Sequence, residues 1–377
     1  MAPVRAPFRI PYTSPLPAPR IIPASASTAS GAIAALVEFL DPASHRTSVG
    51  SDGRGRALLL TGAGISVASG LADYRGTKGT YTLNKTYRPI YYNEFCENHE
   101  ARKRYWARSF LGWTSLLKAK PNAGHEAVRR LGQLGIVDSV ITQNVDSFHP
   151  KAHPSLPTIE LHGYLRTLTC LTCKSSYDRN HFQTDLARLN PTWAAFLQEM
   201  LAMGALDTEN PDERRQRGLK SNPDGDVDIP GAPYTTFRYP ACPTCLEKGE
   251  KGEKGVAIDE DGAWKEGGVG GVLKPSVVMF GESIPAERKN AAEQAVNYAS
   301  RVLVIGSSLA TYSAWRLVKH AKELGMPIGI LNIGGVRGED TFFADVPENT
   351  GKRAVRCSES ADVVLPEVVK ALEGRTR

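Results

Sequence analysis

The chain has 377 residues, 41% of them hydrophobic, with six cysteines and a formal net charge of +6. That length and apolar share are enough for one large or two ordinary cored domains, and they exclude a disordered chain or a disulfide scaffold. The charge is spread along the chain rather than gathered into a basic stripe, and no apolar run is long enough to cross a bilayer. Neither nucleic acid nor a membrane is therefore expected as a direct partner.

Residues 1–37 hold no Asp or Glu, while Arg5, Arg9 and Arg20 punctuate a stretch rich in Ser, Ala and Pro. An acid-free leader bearing arginines reads as a mitochondrial transit peptide, and so predicts a matrix protein. Its prolines oppose the amphipathic helix that an import signal forms, which leaves a disordered leader, and a nuclear or cytoplasmic protein, as the other reading. The leader is assigned to residues 1–29. A helix is expected over 30–40, with Ile33, Leu36, Val37 and Leu40 on one face. Strand-like runs follow at Ala57–Thr61, Val137–Thr142, 158–161, 277–280, Arg301–Ile305, 328–332 and 362–365. Several are almost continuously apolar, the mark of strands covered on both faces. Helical patterns at 125–134, 286–299 and 312–324 lie between them. This alternation predicts an α/β fold: a Rossmann-like doubly wound parallel sheet, built from 30–164 and 274–377. Residues 165–273 lack the rhythm and form an inserted module, in which two polar tracts, 204–233 and 247–271, read as loops.

The module carries two Cys-x-x-Cys pairs, Cys170/Cys173 and Cys242/Cys245. Four thiolates in two knuckles make a closed tetrahedral zinc site with no position left for substrate, so the metal is structural and the chemistry lies elsewhere. Two redox dicysteines are the alternative. The nearest candidate for chemistry is His162, in the string Glu160-Leu161-His162-Gly163 that directly precedes the first knuckle.

Strand Ala57–Thr61 runs into Gly62-Ala63-Gly64-Ile65-Ser66. A Gly-x-Gly turn after a buried strand lets backbone approach a pyrophosphate, although such a turn is also common without a ligand. The continuation, Ser69-Gly70 and then Asp73-Tyr74-Arg75, adds a carboxylate, a ring and a guanidinium in a loop able to close over a phosphate. Strand Val137–Thr142 ends in Gln143-Asn144-Val145-Asp146, whose amides and acid would face a ligand crevice at the carboxyl edge of the sheet. Gly306-Ser307-Ser308 and Asn332-Ile333-Gly334 end two further strands. Each alone reads as a turn; four such ends in one sheet read as a crevice.

In this order and combination the motifs resemble the sirtuins, NAD-dependent protein deacylases, over about residues 56–366. Details such as Arg104-Tyr105-Trp106-Ala107-Arg108, Gly112-Trp113 and Asn190-Pro191-Thr192-Trp193 resemble the mitochondrial class II, sirtuin-4-like branch. The resemblance implies NAD as cofactor, acylated proteins as partners, and one structural zinc. It implies NAD contacts at Gly62, Ala63, Gly64, Ile65, Ser66, Asp73, Tyr74, Arg75, Gln143, Asn144, Val145, Asp146, Gly306, Ser307, Ser308, Asn332, Ile333, Gly334 and the backbone of Cys357. The catalytic group would be His162 as general base, with Asn144 and Asp146 at the nicotinamide end. Val278, Met279, Phe280, Gly281 and Glu282 would pair with the acylated peptide as an added strand. The products would be nicotinamide and O-acyl-ADP-ribose. ADP-ribosyl transfer, lipoamidase activity in the same pocket, or a non-catalytic NAD or ADP-ribose module are the other readings.

Three departures from the family pattern stand out. Tyr74 takes a position where Phe is common. Ser147-Phe148-His149, followed by Pro150, replaces Gly-Leu-His, so the start of that helix is expected to differ. Tyr81 has Asn84, not Arg, three residues on, which argues against a strong preference for succinyl-lysine; Lys85 and Arg88 nearby are offered as contacts to an acidic acyl group.

Overall fold

The computed structural model describes residues 15–41, 56–83, 87–206, 216, 219–221, 226–249, 255–346 and 351–375. Arg5, Arg9, Asn84 and Lys85, and parts of both polar tracts, lie outside the described residues. In chain order the strands are β1 (Ala57–Thr61), β2 (Val137–Thr142), β3 (Thr158–Glu160), β4 (Gly163–Cys170), β5 (Ser176–Asp178), β6 (Lys220–Ser221), β7 (Val227–Asp228), β8 (Leu273–Val277), β9 (Arg301–Ile305), β10 (Ile328–Leu331) and β11 (Ala354–Cys357). Six of them form one parallel sheet in the order β11-β10-β9-β1-β2-β3. The chain winds from β1 outward through β2 and β3, then returns to the other flank of β1 with β9. The connection reverses between β1 and β9, and that is where a doubly wound sheet opens a crevice at its carboxyl edge.

Burial explains the sheet. Every residue of β1, β9, β10 and β11 is buried, because helices cover both faces. Ala29–Leu40, Ala123–Gln133 and Ala361–Arg375 pack on one face around Leu59, Val140 and Leu303. Ala286–Tyr298 and Tyr312–Glu323 pack on the other around Leu58, Leu60 and Val304.

Three sequence expectations change. The run at 362–365, read as a strand, opens the helix Ala361–Arg375. Val364, Leu365, Val368, Val369 and Leu372 recur at helical spacing and are its buried face, so the period, not the local apolar run, decided it. The sixth parallel strand is instead β11, only four residues long and centred on a buried arginine, which hid it. The run at 277–280 is the end of β8 and a turn, with the strand lying four residues earlier. Glu282 fixes that turn, accepting from Met279 N at 2.8 Å and from Lys274 Nζ at 3.0 Å.

The leader boundary also moves. Ile22 is fully buried and bridges Arg356 in both directions, at 3.1 and 2.7 Å. Residues within the stretch assigned to a leader are therefore part of the folded body. The second lobe is an antiparallel sheet, β5-β4-β8, with helices Arg179–Leu189 and Pro191–Ala202. Its core also takes Phe95, Trp106 and Phe110, so the 20-residue helix His99–Lys118 packs into this lobe although it precedes the insert by sequence.

Candidate active site

The turn after β1 touches the turn after β9. Gly64 N donates to Gly306 O at 2.8 Å, and Gly62 N to Ile305 O at 3.0 Å. A Cβ on Gly64 would lie 2.7 Å from Gly306 Cα, and one on Gly306, whose φ is +60°, would lie 2.4 Å from Ile65 N. Only glycine permits this approach. The result is a cradle of bare backbone at the switch point, the geometry that accepts a pyrophosphate. It floors a cavity of about 460 Å³ between the two lobes.

Side chains on the wall are tied together before any ligand arrives. Ser66 Oγ donates to Asp146 Oδ2 at 2.7 Å, and Asn144 Nδ2 donates to Gly62 O at 3.1 Å and to Ser66 Oγ at 3.2 Å. Burial pushes the Asp146 carboxyl up from its usual range, while the Phe148 amide and Ser66 pull the other way. Gln143 is clamped, its Nε2 on Ser307 Oγ at 2.7 Å and its Oε1 taking the Thr311 hydroxyl at 3.0 Å.

His162 precedes β4, where the lobes join, and its carbonyl takes Val278 N at 2.7 Å. Its Nδ1 lies 3.1 Å from Gln143 O and its Nε2 lies 2.8 Å from Ser313 Oγ. A carbonyl oxygen only accepts, so Nδ1 carries the hydrogen and Nε2 presents its lone pair. Burial pushes the imidazole down to about 4, against the pull of the Gln143 carbonyl. At neutral pH the ring is therefore an uncharged acceptor with a fixed tautomer, which is what a general base requires.

In the second lobe, Cys170 Sγ lies 3.5 Å from Cys245 Sγ and Cys173 Sγ 3.7 Å from Cys242 Sγ, all four sulfurs within 4.8 Å of one another. A tetrahedron with metal–sulfur bonds of about 2.3 Å has edges of about 3.8 Å. The four thiols therefore fit one zinc ion and leave no coordination position for substrate.

The Sir2 family sequence profile matches residues 62–313, a span that includes the Gly-x-Gly cradle, His162 and all four cysteines. The chain belongs to the Sir2 family. Among its relatives, the NAD-dependent protein deacylase SIR4 of Batrachochytrium dendrobatidis is 39% identical over 80% of this chain and 88% of its own. The NAD-dependent protein deacylase Sirt4 of Drosophila melanogaster is 36% identical over 77% of each chain. An NAD-dependent protein deacetylase of Bordetella bronchiseptica is 37% identical over 84% of this chain and 94% of its own. The SIR4 and Sirt4 relatives fit the sirtuin-4-like branch. A solved Sir2 enzyme is similar in structure with a TM-score of 0.53 and 25% identity, covering 92% of this chain and 98% of its own.

In this sirtuin the crevice gathers most of the residues that the sequence nominated. Gly62, Ala63, Gly64, Ser66, Asp73, Tyr74, Arg75, Gln143, Asn144, Val145, Asp146, Gly306, Ser307, Ser308, Asn332, Ile333 and Gly334 line the cavity, as do His162 and Val278, Met279, Phe280, Gly281 and Glu282. Ile65 and Cys357 do not line it; both side chains are core, and Cys357 contributes a carbonyl that takes Asn332 N at 3.2 Å. Asp73 holds its own loop, accepting from Gly76 N at 2.9 Å. Arg88, offered as an acyl contact, turns away to Glu94 at 2.8 Å. Ser147 has φ +63°, a conformation glycine adopts freely, and Arg166 donates to its hydroxyl at 2.8 Å.

Several wall residues were missed. Thr311 and Ser313 follow the β9 turn and could have been found by reading on from Ser308. Leu16, and the buried ion pair of Arg108 with Asp226 at 2.7 Å, carry no local signal. Asp226 comes from the polar tract that was read as loop, so that tract reaches the site.

Acid lability should follow from four histidines. Thr61 Oγ1 contacts His149 Nε2 at 2.8 Å, His149 Nδ1 contacts His153 Nε2 at 2.8 Å, and the His125 ring lies 5.0 Å from that of His149. Burial pushes His125 down to about 3, and lowers His149 and His153, as it does His162. A base whose folded pKa lies below its unfolded value of about 6.5 stabilises the fold above that pH and loses this as pH falls. Each imidazole kept neutral removes about 1.4 kcal/mol per pH unit below that point. Urea midpoints should fall as pH drops from about 6.5 to 5.5, the four imidazoles outweighing the two raised carboxyls, Asp73 and Asp146, which act in the opposite sense. Midpoints that stay level over that range would contradict this.

Proposed function

We propose that this protein is an NAD-dependent protein-lysine deacylase. The observation that carries it is His162: a neutral imidazole with Nε2 as acceptor, on the wall of the crevice whose floor is the Gly64–Gly306 cradle. When bound, NAD supplies a ribose carbon made electrophilic by the departure of nicotinamide. Gly62, Gly64 and Gly306, whose own N–H groups are spent on the Ile305, Gly306 and Leu331 carbonyls, would leave room for the pyrophosphate with no side chain in the way, and Gln143 and Ser307 would orient the ribose. Asn144 and Asp146, locked to Ser66, receive the nicotinamide end. His162 Nε2 would take the proton of a ribose hydroxyl placed against it, and Ser313 would give up its hydrogen bond to Nε2 to that hydroxyl. Val278, Met279, Phe280, Gly281 and Glu282 face the same crevice and offer backbone and wall to the acylated peptide.

The acyl wall is aromatic, with Tyr81, Tyr87 and Tyr105 beside the Arg108–Asp226 pair. Because Asp226 balances the guanidinium, the cavity favours uncharged acyl chains over dicarboxylic ones. A panel of acyl-lysine peptides with NAD, read by mass spectrometry, tests both activity and chain. Acyl transfer to ADP-ribose is expected with neutral chains, and Asp226→Asn should raise the ratio of glutaryl or succinyl to neutral-chain turnover by about tenfold, the worth of one freed charge contact. No acyl turnover across the panel, with nicotinamide released and ADP-ribose appearing on protein side chains, would favour ADP-ribosyl transfer instead.

The acid-free, arginine-bearing leader supports a mitochondrial location. A fluorescent fusion of the whole chain should co-localise with the organelle and lose it when Arg5 and Arg9 become Glu; a diffuse signal from the intact chain would argue for the cytoplasm or nucleus.

A further inference from the structure

The end of the crevice away from Gln143 and His162 is lined in part by a segment that no cofactor motif includes. Asn332 follows β10 and Gln143 follows β2, three strand spacings apart in the sheet, about 14 Å, so the two turns face opposite ends of a dinucleotide. At the β10 end, Leu16 lines the cavity beside Ile333, Gly334 and Gly335. The backbone there is in close contact: a Cβ on Gly335 would stand 1.9 Å from Pro17 O and 2.9 Å from Leu16 Cβ. Four residues on, Arg20 N donates to Glu339 Oε1 at 2.7 Å, and Ile22 adds itself to the edge strand β11 through Arg356. Glu339 and Arg356 form a fully buried pair at 2.8 Å. The same guanidinium donates to Asn332 O at 2.8 Å, Gly334 O at 2.5 Å and Cys357 O at 2.6 Å. One carboxylate thus holds the early segment, and the arginine paired with it holds the turn after β10.

We propose that residues 16–22 are a strap belonging to the dinucleotide site: Leu16 walls the adenosine end of the crevice, and Glu339 with Arg356 keys the strap to the turn 332–335. This rests on the NAD-dependent reading above. It carries a consequence for processing. Any cleavage that removes a presequence must stop before Leu16 if the protein is to keep its nucleotide affinity.

ADP-ribose binding by calorimetry tests the strap without depending on turnover. A chain lacking residues 1–14 should bind as the intact chain does. One lacking residues 1–20, which keeps the Ile22 bridge, should bind about tenfold more weakly, and Leu16→Ser should lose about threefold by uncovering one apolar contact. The KM for NAD should rise in parallel while the KM for the acyl peptide stays unchanged. Should the shorter deletion product not fold, Leu16→Ser decides the matter. Unchanged ADP-ribose affinity in Leu16→Ser and in the folded 1–20 deletion would overturn the strap and leave the deacylase reading intact. Failure of the intact chain itself to bind ADP-ribose would overturn the nucleotide reading and the strap with it.

Discussion

His162→Ala should lower kcat/KM for deacylation by about 10²–10⁴, the usual contribution of a positioned general base. ADP-ribose affinity should change by no more than a few fold, because the cradle at Gly64 and Gly306 does not involve the ring. A second variant separates chemistry from packing. Ser313→Ala leaves the imidazole and its Gln143 contact in place and removes only the hydroxyl on Nε2, so it should retain activity within about an order of magnitude. If His162→Ala turned over acyl peptide at the intact rate, the proton would have to go elsewhere, and the tautomer fixed by the Gln143 carbonyl would have no catalytic meaning.

Removal of the metal should cost the second lobe its fold. A structural zinc site contributes on the order of 10 kcal/mol of folding free energy, comparable to the whole net stability of a domain. Here the four sulfurs bring together the end of β4 and the start of the helix Pro243–Gly249, segments far apart in the chain that also share the apolar core around Trp106, Phe182 and Tyr239. The purified protein should hold one zinc per chain by elemental analysis. Chelation or Cys245→Ser should release it, lower the melting temperature by ten degrees or more on the scale of about 2–4 °C per kcal/mol, and abolish deacylation. The loss is indirect: the acyl wall, with Tyr105, Arg108 and Asp226, stands on that lobe. A Cys245→Ser protein with no bound zinc but full activity would show that the knuckles are not a staple.

The local motifs were legible because each depends on a few neighbouring residues. A glycine turn after an apolar strand, amides at a strand end and paired cysteines at knuckle spacing state their chemistry over ten residues or fewer, and the structure places nearly all of them on one cavity or one cluster. The misreadings share a cause. The run at 362–365 was judged on four residues, too few to separate a strand from the first turn of a helix whose buried face continues to Leu372. The strand β11 was overlooked because a strand centre was not expected to be arginine; Arg356 is tolerated there only because Glu339 and three carbonyls satisfy it. The helix His99–Lys118, rich in charge, shows its apolar face only when the second lobe is there to receive it.

By itself, then, the sequence determined the fold class and nominated the glycine turns, His162 and the four cysteines, since these are set by residue type at short spacing. Only the tertiary structure decided which nitrogen of His162 carries the hydrogen, that Asp226 meets Arg108 on the cavity wall, and that Leu16 lines the cavity beside Gly335. Those depend on contacts between residues separated by anything from 19 to more than 300 positions, and a close approach of that kind is fixed by packing and leaves no periodic trace in the chain.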